Sequence, residues 1–237
     1  APDRVYPVTL DPWILVTCHS NDRLRLVGLC SDGTVVPITE NTETRRVGVD
    51  SSGKIHRVYM EVDLPSLPPY YKITQASLTL YRDSYTTFGE NAEEYTVAPF
   101  FDPDNKTPNI VSFNWDNVQH FSVGSPIDTF PAYEEATTRV TPIRIDMTQT
   151  LSEWYKDGKR FHGIVIKKSS ESPCYCNGYI RATYVNLCSH WSTYQPRMQI
   201  IYACEDAYAD HQKYHPFEND RAGTGSINLY TGKLSFA

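Results

Sequence analysis

Along most of this chain apolar and polar residues alternate, and helical periodicity is rare. From Ile55 to Asp63, Val58, Met60 and Val62 fall on one side of an extended backbone, with Arg57, Tyr59, Glu61 and Asp63 on the other. That period of two is what a strand with one buried face shows. Ile73 to Arg82 repeats it, with Ala76, Leu78 and Leu80 facing in and Ser77, Thr79 and Tyr81 facing out. Ile143, Ile145 and Met147, and then Met198 and Ile200, complete the alternating sets, and all these apolar residues are expected on inner faces. Pro65-Ser66-Leu67-Pro68-Pro69 removes three backbone donors and so must be a connection outside any ladder.

Further strands are predicted over Trp13 to Thr17, Arg23 to Leu29, Thr34 to Thr39, Arg45 to Val49, Glu94 to Ala98, Pro142 to Met147, His162 to Lys168, Tyr179 to Val185 and Met198 to Ala203. One segment predicts a helix, Thr148 to Lys156, where Leu151, Trp154 and Tyr155 stand at i, i+3 and i+4. Asp146 or Thr148 is placed to cap it and Gly158 to stop it. Many short strands and one crossover helix predict an all-β, jelly-roll-like antiparallel β-sandwich.

The stretch from Asp102 to Tyr133 is rich in Pro, Asn and Asp and is expected to form long loops around one or two short strands. From Glu205 to Arg221 the sequence turns charged and aperiodic, as a linker does. The expected organisation is therefore residues 1–44 as N-terminal strands packed on or preceding the sandwich, 45–204 as the sandwich, and 205–237 as a linker and lead-in to something further.

At 237 residues and 40% hydrophobic content the chain can bury one good core. Its net charge of -6, with acids and bases interspersed, supplies no basic stripe, which argues against nucleic acid and anionic membrane as partners. No apolar run approaches the roughly 18 residues of a membrane span, so membrane insertion is not expected. Ala1-Pro2-Asp3-Arg4 lacks the charged and apolar regions of a signal peptide, as a processed or excised chain would. Seventeen Tyr against three Met place the aromatic content in the residue that binding surfaces use heavily, although β-rich proteins also favour Tyr.

Six cysteines allow about 15 full pairings. Cys174, Cys176 and Cys188 with His190 form two i, i+2 pairs around Gly178, which on facing strands would supply four zinc ligands. Structural zinc sites space their ligands more widely, and a Cys176–Cys188 disulfide needs only two of the four. Cys18 and Cys30 flank a predicted strand and could bridge a loop; unbridged thiols are the third alternative. Asp102-Pro103-Asp104-Asn105 offers hard oxygens of the kind calcium takes, but lacks the Gly and distal Glu of an EF-hand loop. No cofactor is called for by any of this; a structural calcium or zinc ion is the only kind the sequence accommodates.

Nor is catalysis legible. His211 and His215 stand four apart, but Gln212 cannot act as the general base that HExxH needs. Glu93 with Glu94, and Glu134 with Glu135, are adjacent and so point to opposite faces of a strand. GxSxG, Walker and dinucleotide motifs are absent from the sequence.

Two resemblances gather these features. Arg57 to Pro68, Ile73 to Tyr81, Ile145-Asp146-Met147-Thr148 with Trp154, Gly163 to Ile166 and Pro196 to Tyr202 together resemble the DNRLRE-domain family. Those are non-catalytic β-sandwich modules akin to carbohydrate-binding modules. The resemblance spans residues 45 to 204; it departs at the cysteine-bearing Ser169 to Ser192 and before residue 45. Arg221 to Leu234, Gly-punctuated with two short apolar beats, resembles the segment leading into the repeat shell of Rhs/WapA-like (YD-repeat) bacterial surface proteins.

The resemblances imply an extracellular or cell-surface bacterial module, with the following repeat region of the same polypeptide as a neighbour and a glycan as ligand. Sugar rings stack on aromatic faces beside amides and carboxylates. Trp115, Tyr133 and Trp191, in loop-like sequence, are the candidate stacking residues, with Asn114, Asp116 and Asn117 as polar companions. The plainer alternative is that each Trp plugs its own loop onto the core. Two rival functions remain: an adhesin binding a host glycoprotein or immunoglobulin through a Tyr-rich surface or edge strand, and a spacer capping the repeat shell.

Overall fold

The computed structural model describes residues 13–17, 24–62, 64, 71–86, 93–101, 109–132, 140–157, 163–189, 191–204, 225–228 and 233–236. In chain order the first strands are β1 (Trp13–Thr17), β2 (Leu24–Cys30), β3 (Val35–Val36), β4 (Thr44–Val49), β5 (Ile55–Val62), β6 (Tyr71–Thr86) and β7 (Glu94–Phe101). A 3-10 turn (Ile110–Ser112), the single-turn helix α1 (Trp115–Val118), β8 (Ser122–Val123), β9 (Asp128–Pro131) and β10 (Thr141–Asp146) follow. The remainder is α2 (Thr148–Asp157), β11 (Ile164–Lys168), β12 (Cys174–Cys176), β13 (Tyr179–Arg181), β14 (Thr183–Cys188), β15 (Arg197–Cys204), β16 (Gly225–Asn228) and β17 (Lys233–Phe236).

The protein is an antiparallel β-sandwich. The long strand β6 carries β15 on one edge and β10 on the other, and farther along β14 takes over the edge that β15 leaves. β14 leads through β4 to β5, which has β2 on its other edge, and β11, β7 and β9 complete that second layer. β1 adds to β15. Residues 13–17 and 24–30 are thus integral to the sandwich, because β1 and β2 pair with β15 and β5 and Leu24 and Leu26 lie in its core. β16 and β17 form their own two-stranded sheet.

Every residue that alternation assigns to the inner faces is buried: Val58, Met60, Val62, Ala76, Leu78, Leu80, Ile143, Ile145, Met147, Met198 and Ile200. They belong to one core that draws on both layers. The register explains it, since Met60 stands opposite both Leu26 and Ile164, so one apolar face runs unbroken across three strands.

The opposite face of the second layer departs from the expected pattern. Tyr59, on the polar side of its strand's alternation, is 1% exposed. It belongs to a second cluster with Val27, Leu29, Ala98, Phe100 and Val165, roofed by Ile110, Phe113 and Val118. Phe113 sits 5.6 Å from Tyr59, 5.8 Å from Phe100 and 5.2 Å from Phe121, ring centre to ring centre. The stretch expected to form loops therefore supplies a third layer over this sheet, though it does contain the two short strands β8 and β9.

Two other elements differ from expectation. Thr34 to Thr39 is a strand only at Val35–Val36, because the following turn is organised by Arg45 instead of by a ladder. The Arg45 guanidinium is buried and donates to the carbonyls of Pro37, Glu40, Thr42 and Thr44 and to the Thr42 hydroxyl. The predicted strand Tyr179 to Val185 is split: β13 closes a hairpin with β12 through Asn177-Gly178, both at positive φ, and β14 enters the main sheet.

α2 forms where its apolar stripe predicts. Met147 and Leu151 are in the core, and Trp154 and Tyr155 pack half-buried against it. Of the two expected caps, the Asp146 carboxylate accepts from the Thr148 N–H at 2.9 Å. The Thr148 hydroxyl is engaged with the backbone of Ala76, tying the helix start to β6. Gly158 lies outside the described residues.

Candidate functional site

The β10–α2 junction turns one face of the helix toward a cleft. Asp146, Gln149, Thr150, Glu153 and Trp154 are spaced by three, four, seven and eight residues, so they share one side of the helix, next to the stripe that enters the core. Across from them lie Pro99 and Phe101 at the end of β7 and Gly124 to Ile127 between β8 and β9. Together these residues enclose about 470 Å³. Three distant parts of the chain meet there because β7 carries β8 and β9, while α2 packs on β6.

The cleft combines two aromatic side chains with a polar row. Trp154 makes an edge contact with Tyr155 at 4.4 Å, which fixes its plane; its indole N–H is buried and has no partner among the described residues. Gln149 donates from Nε2 to Glu153 Oε1 at 2.9 Å across one helical turn. Hydrogen bonds from the Thr148 side chain and backbone N–H hold the Asp146 carboxyl below its ordinary range, so it is ionised well into acid. Apolar ring surface beside fixed carboxylates, an amide and a hydroxyl is the inventory that recognises a polyhydroxylated ligand.

Of the residues expected to bind from sequence, Asn114, Asn117, Trp115 and Trp191 have local partners. Asn114 and Asn117 form a reciprocal capping box around α1, each side chain accepting from the other's backbone N–H, at 2.9 and 3.0 Å. Trp115 is covered on one face by Arg57, whose guanidinium lies 4.8 Å from the ring centre and is gripped by Glu171 at 2.6 and 2.7 Å. Asp116 is exposed in the first turn of α1. Trp191 remains 38% exposed, with its indole N–H donated to the Ile38 carbonyl at 3.1 Å. Tyr133 lies outside the described residues.

Of the three cysteine alternatives, unbridged thiols hold among the described residues, and the bridge and zinc expectations are corrected. Cys30, Cys174, Cys176 and Cys188 are free thiols, so neither the Cys176–Cys188 bridge nor a Cys18–Cys30 bridge is formed. Cys176 sits at the tip of the β12–β13 hairpin opposite Tyr179. Cys188 ends β14, five residues and roughly 17 Å of extended strand beyond Thr183. A disulfide needs Cα atoms within about 7 Å. The same separation undoes the four-ligand arrangement of Cys174, Cys176, Cys188 and His190, since the cross-strand neighbours of the hairpin cysteines are Arg181 and Tyr179. Among the described residues no group of three or more metal-ligating side chains converges. Cys18, His190, His211, His215, Glu134, Glu135 and the Asp102–Asn105 turn lie outside those residues.

One constellation has the residue types of a nucleophilic site. Cys30 Sγ is 3.9 Å from His56 Nε2, and the same nitrogen is 3.0 Å from Asp50 Oδ2. A catalytic triad uses the two imidazole nitrogens for different partners, whereas here one nitrogen serves both. Burial, aided by nearby Asp32 and Asp50, also pushes the Cys30 thiol up, away from the reactive thiolate. Elsewhere, Glu93 faces the buried Lys168 at 3.0 Å, and Lys168 also donates to Thr183.

The cleft was within reach of sequence reasoning on one side only: the polar spacing of residues 146, 149, 150 and 153 is visible beside the apolar stripe, while the opposing wall has no periodic signal. Compared with known proteins, the sequence matches no family model and no curated protein.

Proposed function

We propose that this chain is a non-catalytic, extracellular binding module of a larger bacterial surface protein, and that it holds a glycan in the cleft beneath α2. The observation that carries the reading is the meeting of Trp154 and Phe101 with Asp146, Gln149, Thr150 and Glu153 in one cleft of a rigid sandwich. The resemblance to DNRLRE-type modules and to the lead-in of Rhs-like repeat proteins supports it, as does the Tyr-rich, acidic composition.

A glycan array probed with the protein, with a serum-protein pull-down run in parallel, tests the reading. Retention of glycans, lost when Trp154 is shortened to Phe, is the expected result. Capture of a serum glycoprotein or immunoglobulin with an empty array would favour the rival reading. For that rival the β12–β13 hairpin is the specific observation, since it exposes Tyr175 and Tyr179 by 65% and 73%. An empty result in both would leave the spacer. Turnover of any polysaccharide, ester or phosphoester above a heat-treated control would overturn the non-catalytic part.

A further inference from the structure

We infer that the cleft discriminates by charge, taking neutral and amino-bearing sugars and rejecting uronates and other anionic glycans. This deepens the glycan reading and rests on it. The charged side chains lining the cleft are Asp146 and Glu153, and no lysine, arginine or histidine lines it among the described residues. Both carboxylates are fixed in place: Asp146 by the Thr148 N–H, and Glu153 by the Gln149 amide one turn earlier.

The start of a ten-residue helix would ordinarily favour an anion. Here the Asp146 carboxylate already caps that end, accepting the Thr148 N–H and placing a negative charge against its positive field. A ligand carboxylate would meet two like charges with no cation among the described lining residues to compensate, on a chain whose net charge is already -6. A sugar hydroxyl can donate to the free acceptor positions of either carboxylate, and a protonated amine can do so with charge assistance.

Three pentasaccharides on one β-1,4-glucan backbone isolate the charge: cellopentaose, its 2-amino counterpart (glucosamine pentamer) and its C6-oxidised counterpart (cellouronate pentamer). All ring substituents are equatorial in each, so stacking is held constant. Calorimetric titration at pH 5.5 and about 10 mM salt, where the Debye length is about 30 Å, is expected to rank amino above neutral above uronate. Each step should be roughly fivefold, the scale of exposed charge pairs. In about 1 M salt, with the Debye length near 3 Å, the ranking should collapse.

Glu153→Gln, at an exposed position, should narrow the amino-to-uronate ratio at low salt. Uronate binding equal to or tighter than cellopentaose, or a ratio unchanged in Glu153→Gln while Trp154→Phe weakens all three sugars, would overturn the charge inference and leave the cleft reading standing. Failure of all three to bind, or binding indifferent to Trp154→Phe, would overturn the cleft reading and the inference with it.

Discussion

Replacing Phe113 by Ala tests whether the third layer is part of the folded unit or a loop laid upon it. The ring is 4% exposed and touches Tyr59, Phe100 and Phe121. Removing a buried phenylalanine costs about 3 to 5 kcal/mol, of which the lost ring contacts are a part and not an addition. The roof is an irregular segment anchored by the Asn114–Asn117 capping box, so it can settle partly into the space. The low end, about 3 kcal/mol, is therefore expected.

For a domain of this size that corresponds to a melting temperature lower by about 6 to 12 °C. Urea unfolding followed by near-ultraviolet circular dichroism should show the midpoint falling with the slope unchanged. Val111→Ala, two residues away but 57% exposed, is the control and should stay within about 0.5 kcal/mol of wild type. If Phe113→Ala costs under about 1 kcal/mol, or a separate early transition splits from the main one, the layer is an independent cover and Tyr59 is not part of a cooperative core.

Gly163 has φ +139°, and a Cβ there would lie 2.2 Å from the Met60 carbonyl oxygen. Gly163→Ala should therefore cost at least about 3 kcal/mol by thermal unfolding, and a near-wild-type melt would contradict the β11–β5 register. Brief alkylation of the native protein, read by site-resolved mass spectrometry, should modify the half-exposed Cys174 and Cys176 ahead of Cys30 and Cys188. Burial shields those two and pushes their thiols up. A Cys176–Cys188-linked peptide in a non-reduced digest would refute the free thiols.

Burial opposes ionisation of Asp50, but hydrogen bonds from Ser52, His56 and the backbone of Lys54 outweigh it and hold the carboxyl well below the ordinary range. Its stabilisation is full above pH 4 and is lost as pH falls through the depressed folded value. Asp50→Asn should thus cost about 2 kcal/mol at pH 7 and progressively less toward pH 2, a trend that denaturation at several pH values would check.

Alternation made the sandwich legible because Val58 to Val62 of β5, Ala76 to Leu80 of β6, Ile143 to Ile145 of β10 and Met198 to Ile200 of β15 keep period two on the inner faces. It could not expose the outer cluster. Tyr59 sits on the polar side of its alternation, and its cover, Ile110, Phe113, Val118 and Phe121, follows no regular period because it belongs to a turn, one helical turn and a loop. Arg45 was equally opaque: a strand-starting arginine in sequence becomes a buried anchor only when four carbonyls of the segment just before it curl round its side chain.

The candidate site was half legible. Isolated aromatics and amides in loop-like sequence single out Trp115, Trp191, Asn114 and Asn117, yet a guanidinium, a carbonyl and a capping box claim them locally. The cleft instead depends on a helix face whose polar spacing is plain in the sequence and on a wall from β7 and the β8–β9 connection that only the fold brings opposite.

Where a glycan binds is the claim most worth measuring. Cellopentaose titrated by calorimetry into the wild-type protein and into Gln149→Ala, Trp154→Phe, Trp115→Ala and Trp191→Ala separates the cleft from the loop aromatics. Gln149 is exposed on α2, so its removal leaves the fold intact. Affinity should fall about tenfold with Gln149→Ala and with Trp154→Phe, a loss of roughly 1.4 kcal/mol, with Trp115→Ala and Trp191→Ala within about twofold of wild type. Binding that survives both cleft substitutions and disappears with Trp115 or Trp191 would contradict the cleft reading.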